Sequence, residues 1–195
     1  MNKLTTPGEA VSKIKDGDTI LVGGFLMAGS PETLIKALLE KSAAKDLTIV
    51  SNDTHVGPRL VEDLRPYCPA AYLDEFDRFA ESTAEQRRAA ESLLGGSGYL
   101  EHPNLRTPGH HDPAARLADY DHDGVAAGVL FHGSMNMEPI PFIPSSLGKS
   151  TPIPDYDLAK VGYSIYNRWL ADFVADDPHR HIGLAYLPMW DIDAA

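Results

Sequence analysis

Two short apolar runs enclosing a helical pattern constrain this chain more than any other feature. Thr19-Ile20-Leu21-Val22 and Leu47-Thr48-Ile49-Val50-Ser51 are rich in β-branched residues and suit buried strands. Between them Ser30 is placed to N-cap a helix with Pro31 at its first position, and Leu34, Ala37 and Leu38 give that helix an apolar stripe up to Lys41. A strand–helix–strand unit of this length requires a crossover, and such crossovers are parallel and right-handed. Residues 18–52 are therefore expected to form a βαβ unit. Two later apolar runs, 125–131 and 182–187, are separated by helical patterns and predict further strands of the same sheet. The fold class follows as α/β: a partial (β/α) barrel-like parallel sheet of about four strands, fused to an N-terminal βαβ unit. At 195 residues the chain falls short of the ~250 that a closed eight-stranded barrel needs.

The rest of the chain is read around that frame. A helix is expected over 7–15, with Val11 and Ile14 on one face, and a turn at Asp16-Gly17-Asp18. Helices are expected near 60–64, 70–81 and 83–94, with loops at 95–98 and 104–112. Asp112-Pro113 opens another helix, and a proline-rich loop spans 139–154. The strongest helical pattern is 155–175, where Leu158, Val161, Ile165, Trp169, Leu170 and Phe173 recur at spacings of three and four.

Charge and cysteine content exclude several functions. A formal charge of −11 opposes a nucleic-acid backbone, which normally meets a basic surface. The single cysteine, Cys68, has no disulfide partner and no motif places a histidine beside it, so it reads as an inert thiol in a reducing cytoplasm. No apolar run approaches the ~20 residues needed to span a bilayer. A cytoplasmic protein acting on a small molecule is expected, with neither nucleic acid nor membrane as partner.

Two groups of residues suggest chemistry. In the first, Gly23-Gly24-Phe25 follows the first strand, with Gly29 and Pro31 ahead of a helix. Glycines there let the backbone turn sharply and approach a ligand, and the helix start offers free N–H groups to an anion. The whole string from Asp16-Gly17 to Pro31 resembles the opening of the α-subunit of 3-oxoacid CoA-transferases, over about residues 1–52. The resemblance implies that Gly23, Gly24 and Phe25 lie near an acyl-CoA thioester. It also implies that the covalent glutamate belongs to a β-like subunit or to the other half of a fused chain; Glu32 and Glu40 read as surface carboxylates of the helix.

In the second group, Asp53-Thr54-His55 follows directly on the run that begins at Leu47. Residues i and i+2 of a strand share a face, so a carboxylate and an imidazole there can meet one ion. His132, at the end of the 125–131 run, is the third candidate ligand. The adjacent His110 and His111 are poorly spaced for one ion, and His179 and His181 precede a strand and read as structural. Val50 to His55, the 112–131 stretch and the 166–188 stretch together resemble the N-terminal part of a metal-dependent amidohydrolase, over about residues 47–195. That resemblance implies weakly held zinc or manganese on Asp53, His55 and His132. The family's later ligands come from strands beyond the third, so an incomplete site is expected.

The principal expectation is thus a truncated metal-dependent amidohydrolase-like protein, a hydrolase or nonoxidative decarboxylase of a small organic acid. The alternative is an acyl-CoA-binding protein like the α-subunit of a CoA-transferase, or a fusion without catalytic activity. Either a homo-oligomer or a CoA-transferase β-like subunit is the expected protein partner.

Overall fold

The computed structural model describes residues 5–23, 31–41, 44–94, 107–134, 136–143 and 155–195, the side chains of 91, 93 and 94 excepted. Four strands, β1 (Thr19–Val22), β2 (Thr48–Val56), β3 (Ala127–His132) and β4 (His181–Gly183), form one sheet in the order β1-β2-β3-β4. Every pairing is parallel. β2 is flanked by β1 on one side and β3 on the other.

β2 continues to Val56, well past the apolar run that ends at Ser51. Pairing with β3 shifts register between Ser51 and Thr54, then resumes with His55 opposite Phe131 and Val56 opposite His132. The polar Asn52-Asp53 pair, which reads as a terminus, instead occupies this irregularity. Such irregularities re-aim side chains without ending a strand. Thr54 Oγ1 donates to the Val129 carbonyl at 2.8 Å and helps seal the join.

β4 is shorter than the 182–187 pattern. After Leu184 donates to the Leu130 carbonyl, Asn167 captures the chain. Its amide donates to the Tyr186 carbonyl at 2.8 Å, and its side-chain oxygen accepts from the Tyr186 N–H at 2.9 Å. A residue so paired cannot contribute to a ladder.

Among the described residues, five α-helices accompany the sheet: α1 (Pro7–Val11), α2 (Glu32–Lys41), α3 (Leu73–Leu94), α4 (Pro113–Asp123) and α5 (Tyr156–Ala175). α1 opens on a capping box in which the Thr6 hydroxyl accepts from Glu9 N–H and the Glu9 carboxylate accepts from Thr6 N–H. It stops at Val11 rather than Lys15. The following turn is tied to the β2 approach, where Gly17 at φ 77° donates to the Lys45 carbonyl at 2.9 Å. Leu60–Leu64 forms a π-helical turn in place of the expected helix. α3 is continuous across Ser82, where the sequence pattern predicts a break; the exposed Ser82 hydroxyl accepts from the Gln86 amide at 3.3 Å.

The core lies mainly among β2, β3, α3, α5 and the turn after β2. Val56, Leu60, Leu64, Phe76, Leu130, Ile140, Phe142, Ile165, Tyr166, Trp169, Leu170 and Phe173 form one buried cluster. α5 follows its sequence pattern, with Leu158 and Val161 packed at the margin. Its N-cap is Asp155, whose carboxylate accepts from Asp157 and Leu158 N–H. Among the described residues, no helix is long and apolar enough to cross a membrane.

Candidate functional site

The first candidate lies at the end of β1. Gly23 follows the last strand residue, and a Cβ there would meet Asn52 Oδ1 at 2.5 Å. Its lack of a side chain thus makes room for its neighbour on β2. Gly24, Phe25 and the expected cap Ser30 lie outside the described residues. α2 begins at Glu32, and the Pro31 carbonyl accepts from Leu34 and Ile35 N–H.

The second candidate lies at the C-terminal end of β2 and β3. Asp53 and His55 do share a face: His55 Nε2 stands 3.2 Å from Asp53 Oδ1. His55 Nδ1 stands 3.2 Å from the backbone carbonyl of His132. Each ring nitrogen of His55 thus faces an oxygen of the protein, one of the Asp53 carboxylate and one of the backbone. The His132 ring turns away. It packs edge-on against Tyr166 at 5.2 Å and Tyr186 at 6.1 Å, and its Nε2 is sealed from solvent although part of the residue is exposed. Burial, then the nearby His55, lowers its pKa to about 4. Among the described residues no group of three or more histidine, cysteine or acidic side chains is placed to hold a metal ion. The metal reading of Asp53, His55 and His132 is corrected accordingly: the pair hydrogen-bonds to itself and the third member is a packed core ring.

Two further histidines are buried in the fold. His110 is buried, and its carbonyl accepts from Gly57 N–H at 2.8 Å. His181 is buried against Phe173 at 5.1 Å and Tyr120 at 5.9 Å, and burial lowers its pKa. The Cys68 thiol is pushed up by burial, which suits the inert role expected of it.

A third feature has no counterpart in the sequence pattern. A polar cleft of about 400 Å³ is lined by residues of β2 and α4, including Ser51, Thr54, Arg116, Asp119 and Tyr120, and by Thr107 from the segment before α4. Arg116 Nε donates to the Gly109 carbonyl at 2.7 Å, and a terminal nitrogen donates to the His55 carbonyl. Its guanidinium stands 5.9 Å over the Tyr120 ring. Burial lowers its pKa, opposed by Tyr120 and Asp119. Nothing in the linear pattern marks Arg116, because its partners are backbone carbonyls from distant segments.

The β1–α2–β2 crossover, with a glycine where the chain leaves β1, defines a parallel α/β element. That element lies inside a stretch, residues 4–91, that matches the coenzyme A transferase family model. The match runs beyond the 1–52 stretch and ends within α3. The segment is similar to the alpha subunit of acetate CoA-transferase from Escherichia coli (strain K12), with 45% identity over 64 residues, covering 30% of this chain and 29% of the relative. It is similar to the A-type subunit of succinyl-CoA:3-ketoacid coenzyme A transferase from Helicobacter pylori (strain ATCC 700392 / 26695), with 51% identity over 57 residues, covering 29% and 24%. It is also similar to the A-type subunit of 3-oxoadipate CoA-transferase from Acinetobacter baylyi, with 55% identity over 49 residues, covering 25% and 21%. The chain thus spans less than a third of these curated relatives. These matches overturn the principal expectation of a metal-dependent amidohydrolase, hydrolase or decarboxylase, and they favour the CoA-transferase alternative.

Proposed function

We propose that this chain is a CoA-transferase protein of the α-subunit type that binds an acyl-CoA thioester through the β1–α2 connection. The observation that carries the reading is the coenzyme A transferase match over residues 4–91, which spans β1, α2 and β2. Gly23, Gly24 and Phe25 are the ligand-binding residues of this reading. A glycine at the strand end admits close approach of a thioester, and a helix start offers N–H groups to its oxygen. Transfer requires a carboxylate nucleophile from a β-like partner subunit, with a small organic acid as acceptor; the location is cytoplasmic. The test is calorimetric titration of acetyl-CoA into the chain and into Gly23→Val, with melting curves as a folding control. Saturable binding that falls at least about tenfold in a folded Gly23→Val supports the reading. Equal binding by both, or none by the unmodified chain, overturns it.

A further inference from the structure

We propose that residues 184–191 form a strap that lifts as a unit, uncovering His132 Nε2 and the Tyr166 hydroxyl at the C-terminal end of β3. The segment leaves the sheet directly after β4. Leu184 N–H donates to the Leu130 carbonyl at 3.1 Å, and beyond it the backbone bonds of the segment stay local, from Met189 N–H to the Leu187 carbonyl and from Asp191 N–H to the Pro188 carbonyl. Two polar latches tie it to α5. Asn167 holds both the N–H and the carbonyl of Tyr186, and Lys160 Nζ stands 2.9 Å from Asp191 Oδ2. Among the described residues these are its only hydrogen bonds to the body of the fold beyond Leu184. An element joined by so few bonds can open without the rest of the protein unfolding.

What lies under the strap gives it a reason to open. The Tyr186 ring packs edge-on against His132 at 6.1 Å and Tyr166 at 5.7 Å, and it leans on Tyr163 at 5.1 Å. Trp190 continues this aromatic contact, 5.0 Å from Tyr156 and 5.6 Å from Tyr163. Leu187 and Met189 face solvent instead. Beneath the strap, the His132 and Tyr166 rings meet at 5.2 Å. His132 Nε2 and the Tyr166 hydroxyl are both sealed from solvent, with no hydrogen-bond partner among the described residues. A buried polar atom without a partner costs free energy that contact with water restores. The closed strap therefore carries a penalty that its own lifting removes, opposed by the aromatic contacts and the two latches. Once lifted, it leaves an imidazole nitrogen and a phenol side by side in solvent. Residues 184–191 lie outside residues 4–91, so this device does not depend on the thioester reading.

Diethyl pyrocarbonate, which acylates accessible neutral imidazoles, tests the proposal on the full chain, with the labelled histidines located by mass spectrometry. Two other histidines serve as internal standards. His179 is exposed, whereas His181 is buried against Phe173 and Tyr120 and becomes accessible only when the core unfolds. His132 should label at least about tenfold more slowly than His179 and at least about tenfold faster than His181. Asn167→Ala removes one latch and should speed His132 labelling at least about fivefold. Tyr166→Phe removes the unpaired hydroxyl, favours the closed strap and should slow that labelling at least about threefold. Melting curves establish that each variant is folded, and if Asn167→Ala is not, Tyr166→Phe decides. A His132 rate equal to that of His179 or of His181, or an unchanged rate in a folded variant, would overturn the strap.

Discussion

At the residue scale, His132 and His181 both make stability fall as the pH drops below neutral. The His132 ring is held near pKa about 4 by burial and by His55, and His181 is lowered by burial as well. The unfolded chain takes up a proton on each near pH ~6.5, whereas the folded chain resists doing so. Their contribution is therefore fully present above that value and is lost as pH falls toward 4. His132 alone should cost about 2 kcal/mol between pH 7.5 and pH 5, read as the shift in urea unfolding free energy. His132→Phe should flatten that slope, since an apolar ring keeps the contacts with Tyr166 and Tyr186 without a titrating nitrogen. An unchanged slope would show that His132 is protonated at little cost in the fold. The same residue shows why the site is only partly legible in the sequence. Spacing places Asp53 beside His55, and the structure agrees. Spacing also places His132 at the end of its strand, but it says nothing of which way the ring turns, and two tyrosines from distant segments decide that.

At the element scale, α5 and the segment after β3 are packed more closely than any side chain at Gly162 would allow. A Cβ at that position would run into the Pro141 carbonyl, a backbone atom that cannot swing aside. Gly162→Ala should therefore destabilise the fold by about 1–3 kcal/mol despite the better helix propensity of alanine. Trp169→Ala, from the same helix, should cost about 3–5 kcal/mol by leaving a cavity in the main cluster. Denaturant midpoints for the two variants check both values, and a stabilised Gly162→Ala would mean that the two segments separate freely. Helix α5 is legible in the sequence because its buried residues repeat along one short stretch. So are β1, β2 and β3 and their parallel order, since each is an apolar run joined by a crossover too long for a hairpin. The errors fall where one distant side chain outweighs the local pattern. Asn167 ends β4 by binding Tyr186, and the irregularity at Asn52-Asp53 carries β2 through residues that look terminal.

At the scale of the whole molecule, the open sheet leaves apolar residues exposed toward its β1 side. Among the described residues β1 has one pairing partner, and Leu21 on it is 63% exposed. On α2, Ile35 and Leu39 are four residues apart on one face of the helix, and Leu39 is 81% exposed. An unpaired strand edge and an apolar helix face are both surfaces through which chains associate. Self-association that strengthens with concentration is the expected behaviour, and light scattering behind size-exclusion chromatography measures it. Replacing Leu21 and Leu39 together by lysine adds charge at the edge and removes apolar area from the helix, so the associated fraction should fall severalfold. Because both side chains are mostly in solvent, the melting temperature should hardly change, within the roughly ±0.5 kcal/mol typical of surface substitutions. A double variant that associates as before would place the contact elsewhere, with Ile182 on the opposite edge strand β4, at 45% exposure, as the next position to alter. A double variant that melts much earlier would instead show that these leucines are covered within the single chain.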